Sequence, residues 1–158
     1  MPLNPNDKAP GFTLVGQDGD TVKLADLKGQ RVVVYFYPKA DTSGCTTQAC
    51  ALRDAMPDLS KLDAVVLGIS PDRPEAQKKF DDKYGLGFRL LSDPDHAVAE
   101  KYGAWGERSM YGRKYMGIIR SAFVIDERGK VAAAFPKISP KDTVPRVTEA
   151  LEALEALG

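Results

Sequence analysis

The chain has 158 residues, with 22 Lys plus Arg against 22 Asp plus Glu and a formal net charge of zero. This length fits a single domain over residues 1–158, and the balanced charge lacks the basic excess typical of nucleic-acid-binding proteins. Hydrophobic residues make up 43% of the chain, an ordinary globular share that argues against disorder. No apolar run approaches the roughly 18 residues of a membrane span, and the N-terminus lacks a secretory h-region. We therefore expect a cytoplasmic protein.

Short apolar runs separated by turn residues predict the strands. Two arms around the Asp18-Gly19 step, which favours a tight turn, predict an opening hairpin. The next two runs lack alternation of polar and apolar residues, as expected for strands covered on both faces. A fifth run is either a strand or an extended loop, and two arms around Gly129 predict a closing hairpin. In chain order these segments are residues 12–15, 21–24, 31–37, 64–70, 88–91, 121–126 and 131–135.

Two helices are expected in the first half of the chain. The first begins near Gly44, and Pro57 inside its span marks either its end or a kink. The second opens after the strand at 64–70, where Asp72 and Glu75 have the spacing of a capping box. Gly85 marks its end.

Two further helices are expected in the second half. Asp93 and Pro94 predict a third helix, with Asp93 as the N-cap, Pro94 as its first residue and Gly103 as a C-terminal stop. The last segment places four apolar residues on one helical stripe: Val147, Leu151, Leu154 and Leu157. Strands that alternate with helices indicate an α/β protein, in which helices flank a central mixed sheet that starts with an N-terminal β-hairpin.

The chemically informative residue is Cys45, which is predicted to lie in a first helical turn directly after a buried strand. The unpaired N–H groups and the positive dipole end of such a turn favour the thiolate, which is the reactive form of cysteine. Pro38 and Gly44 shape the preceding loop. Thr42 adds a hydroxyl that we expect both to cap the helix and to polarise a bound substrate. This arrangement suits attack on an O–O or S–S bond.

Ionisation of the thiol alone gives limited rate enhancement. A free thiol is a few per cent ionised at pH 7, so complete ionisation gains roughly 30-fold, or about 2 kcal/mol. Fast chemistry therefore requires fixed donors that polarise the substrate: the Thr42 hydroxyl, backbone amides near Cys45 and one arginine. We favour Arg120, because the residue just before a core strand sits on a rigid platform. The other candidates are Arg31, Arg53, Arg108 and Arg113.

Cys45 and Cys50 are five residues apart. If both are helical, their Cα atoms lie roughly 8.7 Å apart, beyond the about 7 Å that disulfides usually span. The two cysteines then form a disulfide only if the helix unwinds locally. This spacing leads to the hypothesis that oxidation is coupled to a conformational change.

At these residues the chain resembles the peroxiredoxins, and most closely the Q-type or bacterioferritin comigratory protein subfamily. Pro38, Thr42 and Cys45 match the signature P-x-x-x-T-x-x-C, and the likeness extends from about residue 7 to residue 151. The resemblance implies a thioredoxin-like fold and reduction of hydrogen peroxide and organic hydroperoxides, without a metal or organic cofactor. It also implies electrons from thioredoxin or a similar dithiol, in a protein that we expect to be a monomer or, alternatively, a weak dimer.

The resemblance also assigns roles to individual residues. It implies that Cys45 is the peroxidatic cysteine, which becomes a sulfenic acid, and that Cys50 resolves it as an intramolecular disulfide. Thr42 and Arg120 match residues that act on the peroxide, and Pro38 matches the residue that shields the sulfur. The chain departs from the common family pattern at three positions, which are Ser43 in place of proline, Gln48 in place of glutamate and Leu52 in place of phenylalanine.

Two other functions are compatible with a pair of oxidisable thiols. A thioredoxin-like disulfide reductase is disfavoured because such enzymes use Cys-x-x-Cys, whereas four residues separate Cys45 from Cys50 here. A non-enzymatic redox sensor is the alternative to a peroxidase. We expect four large residues of the C-terminal half to pack in the core or in loops instead of forming a binding surface: Trp105, Tyr111, Tyr115 and Met116.

Overall fold

The structure, a computed structural model, describes residues 3–157, which form nine β-strands and four α-helices. The strands are β1 (Thr13–Gly16), β2 (Thr21–Lys23), β3 (Arg31–Phe36), β4 (Ala64–Ser70), β5 (Arg89–Ser92), β6 (Trp105–Met110), β7 (Arg113–Ile118), β8 (Ser121–Ile125) and β9 (Val131–Phe135). The helices are α1 (Ser43–Lys61), α2 (Pro74–Tyr84), α3 (Ala97–Lys101) and α4 (Thr143–Leu157). Short 3-10 helices cover Leu24–Leu27 and Pro140–Asp142.

Seven strands form one mixed sheet in the order β2-β1-β5-β4-β3-β8-β9. The pairs β3–β4 and β4–β5 are parallel, whereas the outer pairs are antiparallel. The opening hairpin, the two central strands and the closing hairpin are thereby confirmed. The ambiguous segment at 88–91 is the strand β5, which pairs with both β1 and β4.

Both faces of the central strand β3 are buried, which explains its unbroken apolar sequence. Val33 and Tyr35 belong to one core cluster, together with apolar residues of α1, α2 and α4. Val34 and Phe36 belong to a second cluster, which α3 and the N-terminal segment cover. The sheet is thus flanked by helices on both sides. Among residues 3–157, none of the helices combines the length and apolar character needed to cross a bilayer.

The register of the sheet brings two distant segments of the chain together. Strand β8 runs antiparallel to β3, and Ser121 at its start pairs with Phe36 at the end of β3. Arg120 directly precedes β8, so it lies at the edge of the sheet where β3 leads into the loop at 37–42 and then into α1. The sheet therefore places an arginine beside the first turn of α1.

Two details of the first helices differ from the predictions. Helix α1 continues to Lys61 past Pro57, which lies at an exposed position of the helix and lacks the N–H that would pair with the carbonyl one turn earlier. The predicted capping box does not form, because Arg73 is the N-cap of α2 and no side chain caps that helix. The carboxylate of Asp72 accepts hydrogen bonds from Ser70 and from the Ala40 amide instead. Helix α2 does end before Gly85, whose φ of 58° suits a glycine.

The later helices also differ in detail. Helix α3 begins at Ala97 instead of Pro94, although the Asp93 carboxylate does accept hydrogen bonds from the N–H groups of Val98 and Ala99. In α4, the predicted stripe is buried at Val147 and Leu151 but not at Leu157, which is 86% exposed near the chain end.

Strands β6 and β7 form a separate two-stranded hairpin that the sequence patterns did not predict. Its side chains are largely exposed, and Tyr111 at its tip is 99% exposed. Tyr111, Tyr115 and Met116 are exposed on this hairpin, so the core alternative expected for them is wrong. Trp105 is half-buried, and its ring stacks on His96 with the centroids 3.6 Å apart.

Candidate active site

Cys45 lies in the first turn of α1, which begins at Ser43. The residue is 1% exposed, and its thiol is not in a disulfide. The guanidinium of Arg120 donates a hydrogen bond from Nη2 to Cys45 Sγ over 3.3 Å. The sulfur is thus buried against a cation that can stabilise negative charge on it.

A buried side chain holds the other arm of the same guanidinium. Arg120 Nη1 donates to Gln48 Oε1 over 2.7 Å, and Gln48 is 0% exposed. Gln48 lies one turn after Cys45 in α1, so a single helix supplies both acceptors. This double attachment fixes the plane of the guanidinium relative to Cys45.

The absence of a side chain at Gly44 allows the arginine to approach the helix. A Cβ atom at this position would lie 3.3 Å from Arg120 Nη2 and 3.4 Å from Pro140 Cγ. The distance to Arg120 is tighter than ordinary contacts, so the guanidinium would have to shift by a few tenths of an ångström, whereas Pro140 would be in ordinary contact. Gly44 thus leaves room for Arg120 beside the helix. This role adds to the shaping of the loop that is expected from the sequence.

Thr42 occupies the N-cap position of α1, but its side chain does not cap the helix. The Thr42 hydroxyl donates to the Lys39 carbonyl over 3.2 Å instead, which corrects the expected capping bond. Because this bond uses the only hydrogen of the hydroxyl, Oγ1 retains just its acceptor lone pairs. The lack of a side-chain cap also leaves the first amide N–H groups of α1 without a side-chain acceptor.

Two further carboxylates hold the loop that connects β3 to α1. Asp72 Oδ2 accepts the Ala40 amide hydrogen over 2.7 Å. Asp41, at a φ of 62°, accepts from Lys83 Nζ and from the Tyr84 hydroxyl, each over 3.0 Å. These hydrogen bonds from Lys83 and Tyr84 hold the pKa of the Asp41 carboxyl below its usual value. The half-buried Pro38 belongs to the same loop. The contacts from α2 and from the segment before it therefore hold in place the loop that leads to Cys45.

Cys50 lies in the same helix, half-buried and not in a disulfide. Both cysteines are therefore helical, as the spacing argument assumed. An ideal helix separates their Cα atoms by roughly 8.7 Å, so the two thiols do not bond in this conformation.

The remaining candidate arginines have other partners. Arg31 pairs with Glu127 and Glu155 at the opposite end of β3. Arg53 donates to Asp54 and to the Tyr84 carbonyl, which joins α1 to the end of α2. Arg108 lies over the ring of Tyr115, and Arg113 belongs to the same exposed hairpin. Arg120 alone among these five is hydrogen-bonded to the cysteine in the described structure.

Ser43 and Leu52, two of the three positions that depart from the common family pattern, lie in α1. Ser43 is the exposed first residue of α1, and its carbonyl accepts the Thr47 hydroxyl over 3.1 Å. Leu52 is fully buried in the core cluster on this face of the sheet. The third position, Gln48, is the anchor of Arg120.

Sequence reasoning missed three residues that support this site: Asp72, Asp41 and Thr143. The spacing of Asp72 and Glu75 predicts a helix cap instead, and neither Asp41 nor Thr143 belongs to a recognisable motif. Thr143 Oγ1 accepts a hydrogen bond from Gln48 Nε2 over 2.8 Å, although 95 residues separate them. A contact between residues so far apart in the sequence leaves no local pattern that a single sequence can show.

Comparisons with known proteins agree with this geometry. A putative peroxiredoxin bcp of Haemophilus influenzae is 49% identical over 153 residues, which cover 97% of this chain and 99% of that protein. Peroxiredoxin Bcp of Escherichia coli is 54% identical over 134 residues, covering 85% and 86% of the two chains. The sequence pattern of the AhpC/TSA family matches residues 5–134. The chain belongs to the AhpC/TSA family.

The fold of this peroxiredoxin is also shared with solved structures. A bacterioferritin comigratory protein of Xanthomonas campestris, studied for its alkyl peroxide reduction activity, superposes with a TM-score of 0.85. The two proteins are 33% identical, and the match covers 90% of each chain. The thioredoxin-like peroxiredoxin fold expected from the sequence is confirmed, and this peroxiredoxin is a thiol peroxidase.

Proposed function

We propose that Cys45 is the peroxidatic cysteine and that it reduces hydrogen peroxide and organic hydroperoxides. The contact between Arg120 Nη2 and Cys45 Sγ is the observation that carries this assignment. In the proposed step the thiolate attacks one peroxide oxygen, an S–O bond forms and the O–O bond breaks. The sulfur is oxidised to a sulfenic acid, and the departing oxygen takes up a proton and leaves as water or an alcohol.

Arg120 and Thr42 act on the peroxide from complementary sides in this proposal. The guanidinium, which only donates hydrogen bonds, stabilises the negative charge that develops on the departing oxygen. Thr42 Oγ1, with its hydrogen bound to the Lys39 carbonyl, accepts the O–H hydrogen of the hydroperoxide. Pro38 in the same loop limits the access of water to the sulfur. Amide N–H groups of the first helical turn add further donors.

We further propose that Cys50 resolves the sulfenic acid. Its thiol attacks the oxidised sulfur of Cys45, an S–S bond forms and water leaves. Because both residues lie in α1, this step requires the helix to unwind between them.

A dithiol protein such as thioredoxin then reduces the disulfide and restores both thiols. Electrons in this cycle pass from the dithiol sulfurs to the disulfide and from the Cys45 sulfur to peroxide oxygen, so the cycle requires no metal or organic cofactor. Reductants of this kind keep thiols reduced in the cytoplasm, which supports a cytoplasmic location. One chain supplies both cysteines, Thr42 and Arg120, which supports activity as a monomer.

Two serine variants test the assignment. Cys45→Ser should abolish peroxide consumption in a thioredoxin-coupled assay. Cys50→Ser should allow one oxidation of Cys45 at the wild-type rate but lose recycling by thioredoxin. Mass spectrometry of oxidised Cys50→Ser should then find sulfenic or over-oxidised Cys45 without an intramolecular disulfide.

Each part of the proposal has an outcome that would contradict it. Turnover retained in Cys45→Ser would overturn the role of Cys45. Recycling at the wild-type rate in Cys50→Ser would exclude Cys50 as the resolving cysteine. Stoichiometric oxidation of the wild-type protein without turnover would instead support the redox-sensor alternative.

A further inference from the structure

The anchor of Arg120 is itself part of a directed chain of buried hydrogen bonds. Gln48 accepts from Arg120 through Oε1 and donates to Thr143 through Nε2 over 2.8 Å. Thr143, the first residue of α4, donates in turn to the Ser139 carbonyl over 3.0 Å. Both Gln48 and Thr143 are 0% exposed.

The two ends of this chain impose the same orientation on the Gln48 amide. A threonine hydroxyl has one hydrogen, and Thr143 gives it to Ser139, so its oxygen can only accept from Gln48. Arginine has no acceptor, so the group that faces Arg120 must be the amide oxygen. If the amide were flipped, its NH2 group would face the N–H donors of Arg120. Its carbonyl oxygen would face the Thr143 oxygen, whose hydrogen is already bound to the Ser139 carbonyl. The Thr143 hydroxyl therefore selects the rotamer that holds Arg120.

The anchor also leaves the charge of Arg120 intact. Gln48 is neutral, and within residues 3–157 no carboxylate pairs with Arg120. An acidic anchor would draw part of the guanidinium charge away from the sulfur and the substrate. The neutral amide fixes the position of the guanidinium without that cost.

We propose that Thr143 is a positioning residue of the peroxidase, acting through Gln48 to aim Arg120 at Cys45 and the incoming peroxide. The inference rests on the proposed function of Cys45 and extends it to a residue 98 positions away on another helix. Thr143 touches neither the sulfur nor the substrate in this proposal. Its contribution is the direction of one buried amide.

The decisive variant is Thr143→Val, which keeps the shape of the side chain and removes the hydroxyl. One neutral hydrogen bond corresponds to a change of about 3- to 10-fold. We expect the rate constant for oxidation of pre-reduced protein by hydrogen peroxide, measured in a single turnover, to fall by about this factor. Thr143→Ser keeps the hydroxyl and should stay within about twofold of wild type. Thr148→Val, at a half-buried position of the same helix, is the matched control and should retain the wild-type rate.

A second measurement separates positioning from general loosening of the fold. Alkylation of Cys45 by iodoacetamide, at a pH where thiols are largely ionised, does not need a polarised O–O bond. In Thr143→Val we expect this rate to stay within about twofold of wild type while the peroxide rate falls. Urea unfolding identifies variants that fold. If Thr143→Val does not fold, Thr143→Ala, which also lacks the hydroxyl, takes its place.

Three results would overturn the inference. In the first, the rate constant for oxidation by hydrogen peroxide falls no more in Thr143→Val than in Thr148→Val. The second is an equal fall in the alkylation and peroxide rates, which would place the effect on access to the sulfur. The third is a wild-type protein that is not oxidised at Cys45, which removes the proposed function together with the inference. In the first two cases the proposed function stands.

Discussion

At the scale of residues, the site depends on how closely Arg120 approaches the first turn of α1. Its guanidinium makes one contact to Cys45 and one to Gln48, and it passes Gly44 where no side chain intervenes. A contact of 3.3 Å between the guanidinium and the sulfur leaves little freedom for displacement. Small changes in volume beside Arg120 should therefore affect chemistry more than stability.

Gly44→Ala tests this expectation. The added Cβ would lie 3.3 Å from Arg120 Nη2, so the guanidinium has to shift away from the helix. We expect peroxide oxidation of Cys45 to slow by about 3- to 10-fold. The free energy of unfolding should not fall, because alanine favours a helix over glycine by up to about 1 kcal/mol.

Single-turnover oxidation and urea unfolding measure the two quantities separately. Gly11→Ala is the control, because a Cβ atom at Gly11 meets nothing within 4 Å. Oxidation at the wild-type rate in Gly44→Ala would show that Arg120 is not confined in the way described.

At the scale of elements, α1 carries both cysteines and is attached to α2 on either side of them. Asp41, just before the helix, binds Lys83 and Tyr84, and Arg53 binds the Tyr84 carbonyl. These attachments leave a segment between residues 41 and 53 that can unwind while its ends stay fixed. Formation of a disulfide should therefore open the first turns of α1 and leave the rest of the helix folded.

Amide hydrogen exchange across residues 44–54 tests this element. In the reduced protein, amides from Thr46 onward have helical acceptors and should be protected. Oxidation should remove protection up to about Cys50, whereas residues after Arg53 should keep it. Equal protection in the two redox states would refute the coupling between oxidation and unwinding.

The strands and helices differ in how clearly the sequence predicts them. The strands β3 and β4 were predictable because burial on both faces leaves an unbroken apolar run. The hairpin β6–β7 was not predictable, because its largely exposed side chains impose no apolar alternation. The capping prediction at Asp72 was wrong because the Ala40 amide and the Ser70 hydroxyl compete for the carboxylate.

The site was predictable only in part for a similar reason. Cys45, Thr42 and Pro38 form a local signature, so their proximity follows from the sequence. Arg120 was favoured among five arginines by its place before a core strand, and the register of β8 against β3 shows why that place matters. Thr143 joins the site through packing of α4 on α1, which no local pattern specifies.

At the scale of the whole molecule, three tyrosines are buried in the two core clusters around the sheet. Burial raises the pKa of Tyr35, Tyr37 and Tyr102 above the usual value of a phenol. The Tyr35 hydroxyl also lacks a hydrogen-bond partner among the residues that the structure describes. Above about pH 10 the unfolded chain releases these protons while the folded protein retains them. The folded state then binds more protons, so stability falls as pH rises.

Urea unfolding between about pH 8 and pH 11 measures this loss of stability. Above about pH 10 the free energy of unfolding should fall by about 1.4 kcal/mol per pH unit for each buried tyrosine. Tyr35→Phe should remove one contribution and flatten the alkaline decline. Near pH 8 the same variant should be at least as stable as wild type, because it removes an unpaired buried hydroxyl. Tyr111→Phe, at a 99% exposed position, is the control and should keep the wild-type slope. An unchanged slope in Tyr35→Phe would contradict this account.

The side chain that anchors Arg120 lies between the two cysteines of α1, three residues after one and two before the other. A sulfur–sulfur link across that interval removes the helical frame on which the amide of Gln48 depends. In the proposed cycle the guanidinium would then lose its anchor until a reductant removes the disulfide and the helix re-forms. In the proposed cycle, oxidation would thus dismantle the arginine contact and reduction of the disulfide would rebuild it.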